Sequence, residues 1–431
     1  MEGLHRRELR VLRGPGLAGG CRQDRQDRQG RGVRGGPAAP GDRALTRAGG
    51  AAVPGPGGGG SPRPGGGRRL PGTQWDLPDF PWDLLEPAKA RAAAHPDGLV
   101  DLSIGTPIDP VPALVQAALA AAADAPGYPR TAGTPQLRDA LTGWLAAACQ
   151  ARPDRLGVLP TIGSKELVAG LPAQLGLGPG DLVVIPPVCY PTYEVGARLA
   201  GATAVRAEHP DQAPDTARLV WLNSPANPTG AVLAPDRLRA WVEWARRRGA
   251  VLACDECYLS LGWETTPVSV LAVCEGSYHR VLAVHSLSKR SNLAGYRAGF
   301  VAGDPELVAG LREVRKHAGA IVPAPVQAAM VAAVQDESHV AAQRARYAAR
   351  RELLRTAFAA AGFTVERSEA GLYLWATRDE VCWSTVDALA ERGILVSPGA
   401  FYGPAGGRHV RVALTATDER VAAAVARLSG A

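Results

Sequence analysis

Short apolar runs alternate with longer amphipathic stretches from about residue 120 to residue 310, and this alternation limits the fold more than any other feature of the sequence. It is the pattern of a parallel β-sheet whose strands are joined by crossover helices, and it predicts an α/β fold. Polar, Gly or Pro residues follow each run, at the carboxyl ends of the strands, where open α/β sheets bind ligands. The runs are DLVVIPP (181–187), RLVWLN (218–223), AVLACDE (250–256) and RVLAVHS (280–286).

The rest of the chain is expected to add a smaller α+β domain, for which 431 residues leave enough room. Residues 316–431 have helical patterns followed by the strand-like runs YLWAT and HVRVAL, and residues 71–115 are predicted to join them. Residues 116–315 then form the large domain, with helices on both faces of a mostly parallel central sheet.

Residues 1–70 differ in composition from the rest of the chain. They contain 14 Arg against 5 Asp or Glu, with many Gly and Pro residues and no sustained apolar period. Such a stretch buries too little apolar surface to offset its ordering entropy, so we predict a disordered extension. A basic arm can bind nucleic acid or an anionic membrane. Because this one lacks a binding motif and interleaved aromatic residues, we expect neither partner.

Cysteine usage and hydropathy indicate a cytoplasmic protein. The seven cysteines are an odd number scattered over a long chain, which favours a reducing compartment over a disulfide framework. Cys254 and Cys257 form a single CxxC pair, and a zinc site would need a second pair, so we predict no metal site. The sequence has no apolar run of about 18 residues and no signal-peptide pattern at its N-terminus.

The segment HSLSKRSNLAGYR (285–297) follows a buried run and combines an amine with groups that suit a phosphate. Lys289 has the hydroxyls of Ser286 and Ser288 on its amino-terminal side. Arg297 follows on the other side. Hydroxyls and a fixed guanidinium suit a phosphate dianion, and a partly desolvated lysine has a lowered pKa and can attack an aldehyde. Lys289 is therefore the best candidate for a Schiff-base lysine. The other lysines of the chain are Lys89, Lys165 and Lys316.

Two further runs end in polar side chains that suit a pyridine ring. CDECY (254–258) ends a run whose alternation directs Asp255 inward, where its carboxylate would pair with a protonated ring nitrogen. Tyr258 would donate to the ring's phenolic oxygen. NSPANPTG (223–230) holds Asn227 between two prolines in a stiff turn, from which its carboxamide would bond the same oxygen. Each motif also has a purely structural interpretation, as a capping carboxylate or as a loop shaped by Pro and Gly.

The motif TIGSKEL (161–167) predicts a strand, a Gly-Ser turn and the beginning of a helix. Backbone N–H groups and the helix dipole make such a turn an anion site, with Ser164 and Lys165 at its lip. Many helices begin this way, so the motif is weak when it is considered alone.

Taken in order, the motifs GSKE, YPTYE, NPTG, DECY, SLSK and GYR resemble a known family over nearly all of residues 75–431. They are similar to those of the class I/II, fold-type-I aminotransferases, which use pyridoxal 5′-phosphate (PLP). The resemblance implies that Lys289 carries PLP and moves protons, and that Asp255 pairs with the pyridinium. It also implies that Asn227 and Tyr258 bond the ring oxygen, while Tyr190 of YPTYE stacks on the ring. The residues implied to hold the phosphate are Gly163, Ser164, Lys165 (mainly through its backbone N–H), Ser286, Ser288 and Arg297.

Further positions gain a role from the same resemblance. Tyr128, in GYPRTAGTPQLRDAL, resembles the tyrosine that reaches the phosphate of the neighbouring subunit, which implies a homodimer with shared active sites. Arg411 in HVRVAL resembles the arginine that clamps the substrate α-carboxylate, a planar anion that suits its bidentate fork. Gly105 in SIGTPIDP resembles the backbone segment that closes over the substrate, and Asn227 is expected to contact the substrate as well.

The implied substrates are small amino acids and 2-oxo acids. The amino group passes from one to the other in two half-reactions, with ping-pong kinetics. The phrases WDLPDFPWDLLEPAKARAAAHPDGLVDLSIGTPIDPVP and HSLSKRSNLAGYRAGF look most like actinobacterial N-succinyldiaminopimelate aminotransferases. That likeness implies exchange between glutamate/2-oxoglutarate and N-succinyl-LL-diaminopimelate/N-succinyl-2-amino-6-oxopimelate, in lysine and diaminopimelate biosynthesis.

Other functions on the same scaffold stay open at this point. One is an aminotransferase for aspartate, alanine or aromatic amino acids, and another is a β-lyase or decarboxylase. A third is a non-catalytic PLP-sensing regulator with a basic N-terminal arm. Such regulators carry a winged helix-turn-helix, and residues 1–70 are too rich in Gly and Pro to form one.

Overall fold

The computed structural model describes residues 68–69 and 76–430. Apart from a short strand at 68–69, the extension predicted for residues 1–70 therefore lies outside the described residues. The strands are β1 Arg68–Arg69, β2 Asp76–Leu77, β3 Val100–Asp101, β4 Gly157–Ile162, β5 Leu182–Ile185, β6 Thr203–Arg206, β7 Ala217–Asn223, β8 Val251–Asp255, β9 Val281–Ser286, β10 Ala298–Gly303, β11 Thr364–Glu366, β12 Tyr373–Thr377, β13 Ile394–Leu395, β14 Ser397–Pro398 and β15 Val410–Ala413.

The α-helices connect these strands and cover the sheets. Among the described residues, none of them is both long and apolar enough to cross a membrane. They are α1 Glu86–Ala93, α2 Ala113–Ala121, α3 Pro135–Cys149, α4 Gly163–Gln174, α5 Thr192–Leu199, α6 Pro235–Arg248, α7 Leu287–Arg290, α8 Pro305–Ala318, α9 Ala324–Gln335, α10 Ser338–Ala360, α11 Cys382–Glu391 and α12 Asp418–Leu428.

A seven-stranded sheet with the order β4-β10-β9-β8-β7-β5-β6 forms the centre of the large domain. Strands β6, β5, β7, β8 and β9 pair in parallel, and β10 runs antiparallel to both β9 and β4. The four predicted apolar runs are β5, β7, β8 and β9, so the prediction of a mostly parallel central sheet is confirmed.

The apolar runs are continuous because both faces of the sheet are buried. In β7, Leu219 and Trp221 belong to one hydrophobic cluster, whereas Val220 and Leu222 belong to another. The first cluster includes side chains of α4, α5 and α8, and the second includes side chains of α3, α6 and α9. Helices therefore cover the sheet on both sides, as the sequence predicts.

The smaller domain is built on a four-stranded antiparallel sheet with the order β11-β12-β15-β14. A third hydrophobic cluster joins this sheet to α1, α10, α11 and α12. The parallel pair β3–β13 connects the segment before the large domain to the C-terminal part. Helix α9 packs against α2 and α3 of the large domain. The boundaries placed at 115/116 and 315/316 stay a prediction.

Candidate active site

A cavity of about 580 Å³ opens where the central strands end. Asp255 and Ser286 are the last residues of β8 and β9, and Asn227 lies in the turn after β7. The position agrees with the rule that open α/β sheets bind ligands at their carboxyl ends. The sequence-predicted residues among its walls are Gly105, Ser164, Lys165, Tyr190, Asn227, Asp255, Tyr258, Ser286, Ser288, Lys289, Arg297 and Arg411.

Lys289 lies in α7, the short helix that begins directly after β9. The Ser286 hydroxyl accepts a hydrogen bond from the backbone N–H of Ser288 at 3.1 Å, which caps the helix and fixes where it begins. The Lys289 ammonium donates to the carbonyl oxygen of Gly105. Desolvation of the amine lowers the pKa of Lys289 from its usual value, which favours the neutral, nucleophilic form.

Asp255 is a buried carboxylate, only 6 % exposed, with no ion pair to a cationic side chain among the described residues. Its Oδ2 accepts from the Tyr193 hydroxyl at 2.9 Å, and its Oδ1 accepts from the backbone N–H of Cys257 at 3.1 Å. Burial raises the pKa of Asp255, while these hydrogen bonds act in the opposite direction. A buried carboxylate in this state is suited to a cationic partner supplied by a ligand.

Asn223 fixes the turn that carries Asn227. Its Nδ2 donates to the carbonyl oxygens of Asp255 and Pro225 at 2.9 and 3.0 Å. Its Oδ1 accepts from the backbone N–H of Asn227 at 2.7 Å. The end of β7 is thereby tied to the end of β8, and the Asn227 carboxamide is held at the cavity wall.

The first turn of α4 and Arg297 form a cradle for an anion. Gly163 has φ +70°, and a Cβ added there would lie 2.5 Å from the Arg297 Nη2 atom, so the guanidinium lies directly against the backbone. The Arg297 Nη1 atom donates to the carbonyl oxygen of Ala294 at 2.9 Å. Two serines that line the cavity add hydroxyl groups to the same region: Ser164, which follows Gly163, and Ser288. Gly163 itself shapes the cradle without lining the cavity.

Arg411 projects from β15 and is only 2 % exposed. Its Nη1 donates to the Asn227 Oδ1 atom at 3.0 Å, and its Nη2 donates to the Ser103 carbonyl oxygen at 2.6 Å. The Arg411 Nε atom is buried without a hydrogen-bond partner in the described part of the chain. This guanidinium is therefore fixed in direction and retains donor capacity for an anion in the cavity.

The roles predicted for Tyr128 and Tyr190 are contacts with a neighbouring subunit's cofactor and with the cofactor ring. Tyr128 is fully exposed and lies outside the cavity. Tyr190 lines the cavity with its ring edge-on to Tyr193, the centroids being 5.9 Å apart. Its stacking on a cofactor ring stays a prediction.

Some residues in the cavity wall or directly behind it are not predicted from the sequence. Tyr193 and Asn223 belong to the motifs YPTYE and NSPANPTG, so their motifs were visible although their contacts were not. Tyr373 comes from β12, and Phe80 and Trp82 come from the segment before α1. Nothing in their local sequence separates them from ordinary core or surface aromatic residues.

Cys149, Glu256 and His285 form a buried polar cluster and do not line the cavity. Their ligand-type atoms all lie within 4.8 Å of one another. The Glu256 Oε2 and His285 Nε2 atoms are 3.6 Å apart. Burial raises the pKa of Glu256 to about 7 and lowers the pKa of His285 to about 3. The histidine is therefore neutral at physiological pH, which suits a core position.

A lysine of lowered pKa, and a buried carboxylate with no cationic partner in the described part of the chain, stand at the strand ends of this fold and are typical of fold-type-I PLP enzymes. Within that class, the chain belongs to the family "Aminotransferase class I and II", whose profile matches residues 97–428. It is an aminotransferase, its cofactor is PLP, and its substrates are small molecules.

Named relatives support this membership. The chain is 56 % identical over 433 residues to a probable aminotransferase from Mycobacterium tuberculosis, with 100 % of both chains covered. It is 60 % identical over 357 residues to the 4-dedimethylamino-4-oxo-anhydrotetracycline transaminase OxyQ from Streptomyces rimosus, with 82 % of this chain and 99 % of that one covered.

Solved structures agree with the fold. A probable N-succinyldiaminopimelate aminotransferase from Thermus thermophilus has a TM-score of 0.74 at 30 % identity, covering 81 % of this chain and 99 % of that one. N-succinyldiaminopimelate aminotransferase from Mycobacterium tuberculosis has a TM-score of 0.73 at 27 % identity, covering 80 % and 96 %.

The residues present fit PLP on the side of the pyridine ring and on the side of the phosphate. Asp255 offers a buried negative charge without a cationic partner among the described residues, as a protonated ring nitrogen requires. The close approach of Arg297 to Gly163 leaves backbone and guanidinium donors together, as a phosphate dianion requires.

Proposed function

We propose that this aminotransferase exchanges the amino group between glutamate/2-oxoglutarate and N-succinyl-LL-diaminopimelate/N-succinyl-2-amino-6-oxopimelate, in lysine and diaminopimelate biosynthesis. The observation that carries the proposal is one cavity containing both an amine of lowered pKa, Lys289, and a buried guanidinium, Arg411. A carboxylate held by Arg411 would bring its α-carbon towards the amine. The similarity to the two N-succinyldiaminopimelate aminotransferases supports this choice of substrate.

The catalytic groups proposed for this chain are Lys289, Asp255 and Tyr258. When bound, PLP supplies an aldehyde that joins amines and a ring that accepts electrons from the substrate α-carbon. Lys289 would hold the cofactor and, once released from it, take up and return the α-proton, because desolvation lowers its pKa. Asp255 would keep the ring nitrogen protonated. Tyr258 and Asn227 would hydrogen-bond the ring oxygen.

The remaining cofactor contacts would be made by groups that bind anions and by one aromatic ring. Tyr190 would cover a face of the pyridine ring. The phosphate would be held by Gly163, Ser164, Lys165, Ser286, Ser288 and Arg297.

Recognition of the distal end of the substrate is proposed for Lys165. Its side chain is exposed at the cavity wall, with Nζ 5.6 Å from the centroid of the Phe80 ring. Among the described residues no carboxylate forms an ion pair with it, so its charge is available to a distal carboxylate of glutamate or of the succinyl group. The Lys165 backbone N–H would still serve the phosphate.

A second candidate function is amination of a bulky cyclic ketone. The relative OxyQ is named as a transaminase of an oxo-anhydrotetracycline. The aromatic side chains Phe80 and Trp82, together with Ile104, give this cavity an apolar mouth. Apolar surface of this kind suits a polycyclic acceptor better than it suits a dicarboxylic acid.

The amino donor and the acceptor are tested separately with the purified PLP form. Mixing it with glutamate, and in another sample with N-succinyl-LL-diaminopimelate, is expected to convert the absorbance band of the lysine-bound cofactor into that of pyridoxamine phosphate within seconds. Conversion by glutamate alone would contradict the proposed acceptor. In that case 4-dedimethylamino-4-oxo-anhydrotetracycline, added to the pyridoxamine form, would test the second candidate by the reverse change.

A pair of variants in the same assay separates recognition of the two ends of the substrate. Arg411→Ala is expected to raise the half-saturating concentration of both amino donors, because both carry an α-carboxylate. Lys165→Ala is expected to raise it for both acidic donors but to leave alanine, which lacks a distal carboxylate, unaffected. An equal effect of Lys165→Ala on alanine would assign its side chain to the cofactor instead.

The exposed Tyr128 supports a homodimer in which each cavity is completed by its partner. We expect the purified chain to sediment as a dimer, and Tyr128→Phe to weaken PLP affinity about tenfold, since a hydrogen bond to a charged group is lost. Tyr278→Phe is the control for loss of a tyrosine hydroxyl elsewhere in the chain. The Tyr278 hydroxyl accepts a hydrogen bond from the backbone N–H of Arg152, and neither residue lines the cavity. A fully active monomer would refute the shared site.

A further inference from the structure

Tyr373 is a buried tyrosine of β12, 3 % exposed, that has no role among the residues discussed so far. Its hydroxyl lies 3.1 Å from the hydroxyl of Tyr258, and the two ring planes meet at 72°. Among the described residues, Tyr258 is the only hydrogen-bond partner of the Tyr373 hydroxyl. One hydroxyl of the pair must donate and the other must accept.

The ring of Tyr373 also contacts the arginine proposed to bind the α-carboxylate. The Arg411 guanidinium carbon lies 4.0 Å from the ring centroid, within the range of a cation–π interaction. In the antiparallel pair of β12 and β15, Trp375 is opposite Arg411 and Tyr373 is opposite Ala413. Tyr373 is thus the diagonal neighbour of Arg411 on the same face of the sheet.

The third contact of Tyr373 is with Gly105. A Cβ added to Gly105 would lie 2.1 Å from the Tyr373 hydroxyl oxygen, so the hydroxyl is pressed against the backbone there. The carbonyl oxygen of the same glycine accepts from the Lys289 ammonium. The Tyr373 side chain therefore contacts Tyr258, Arg411 and the backbone of Gly105, the residue that accepts the hydrogen bond from Lys289.

We propose that Tyr373 is a positioning residue for both ends of the site: its hydroxyl donates to the Tyr258 oxygen, and its ring holds Arg411 in place. The inference rests on the function proposed above for Tyr258 and Arg411. When Tyr373 donates, the Tyr258 proton is free to point into the cavity at the ring oxygen of PLP. If Tyr258 donated instead, its only hydroxyl proton would form the hydrogen bond to Tyr373 and could not reach the ring oxygen.

Burial and the groups around Tyr258 keep its hydroxyl protonated. Burial, followed by the neighbouring Tyr373, raises the pKa of Tyr258 well above its usual value. Asp255 and Cys257, which precede it in the chain, act in the same direction. The basic groups Lys289 and Arg411 line the same cavity as Tyr258.

Tyr373→Phe removes the hydroxyl and keeps the ring. The Tyr258 hydroxyl, donating to the ring oxygen of PLP, would stabilise the less protonated state, in which that oxygen is more negative. Without the Tyr373 hydroxyl this hydrogen bond should weaken, and the pH midpoint of the lysine-bound cofactor's absorbance should rise by about half a unit. We expect kcat to fall about fivefold, as for the loss of one neutral hydrogen bond. KM for glutamate should stay within about twofold, because the ring still covers Arg411.

Tyr373→Leu removes the ring as well and should raise KM for glutamate about tenfold in addition, because Arg411 loses its aromatic contact. Tyr278→Phe, which loses a buried hydroxyl elsewhere, should change neither the midpoint nor the kinetics. A wild-type midpoint and kcat in Tyr373→Phe would overturn the proposal while leaving the aminotransferase assignment intact. A wild-type protein that shows no cofactor band would instead overturn the proposed function.

Discussion

Replacing Lys289 with alanine is expected to abolish the absorbance band of the lysine-bound cofactor and to lower kcat by about 10²–10⁴-fold, the range of a lost general acid–base group. The structure gives the physical reason. Lys289 is held by the capped helix α7 beside the ends of β8 and β9, and desolvation lowers its pKa. Lys165 also lines this cavity, but its side chain is exposed, whereas Lys289 is held against the Gly105 carbonyl oxygen.

The measurement is an absorbance spectrum of PLP-reconstituted protein, followed by a glutamate half-reaction. Lys316→Ala is the matched control, because this exposed lysine pairs with Glu313, at 3.6 Å, on the surface of α8. It should retain both the band and turnover. Retention of both in Lys289→Ala would remove Lys289 from the centre of the mechanism.

Replacing Asp255 with asparagine is expected to lower kcat by about 10²–10⁴-fold while the fold is retained. The substitution keeps the shape of the side chain and removes its charge. Loss of one partner from a buried ion pair costs about 3–5 kcal/mol, which corresponds to this factor if the ring nitrogen must be protonated only during the chemical step. The Cys257 N–H would still donate to the amide oxygen, and the Tyr193 hydroxyl would accept from the amide NH2 group.

The control is Asp304→Asn, which changes a carboxylate of similar burial, 4 % exposed, far from the cavity. The Asp304 Oδ1 atom accepts from the backbone N–H of Glu306 at 2.9 Å and caps α8, and its Oδ2 atom accepts from the backbone N–H of Arg280 at 2.7 Å. Asparagine keeps only one of these two acceptors, so this variant should lose thermal stability and keep kcat. Melting temperatures and kcat, measured together, separate the two effects. An Asp255→Asn enzyme with wild-type kcat would mean that another residue holds the ring nitrogen.

Most of the large domain could be predicted from the sequence. Buried parallel strands are continuous apolar runs, and β5, β7, β8 and β9 lie where those runs are. Polar residues that directly follow such strands must gather at one sheet edge. Asp255, Ser286 and Lys289 therefore came together as expected.

The contacts between these residues could not be predicted. The hydrogen bond from Tyr193 to Asp255 joins residues 62 positions apart, and the pair of Tyr258 and Tyr373 joins residues 115 positions apart. Both depend on how elements pack, and a buried tyrosine in a strand is otherwise an ordinary core residue. The place of Phe80 in the cavity wall depends on packing in the same way.

The sequence by itself determined the order of strands and helices, the positions of the polar residues at the strand ends, and the class of chemistry. These depend on local periodicity, turn residues and motif spacing, which a chain carries before it folds. Only the tertiary structure decided that β12 and β15 pair with Tyr373 diagonal to Arg411. It also decided that Gly105 meets both Tyr373 and Lys289, because long-range packing selects one register and one approach among many that the same local sequence allows.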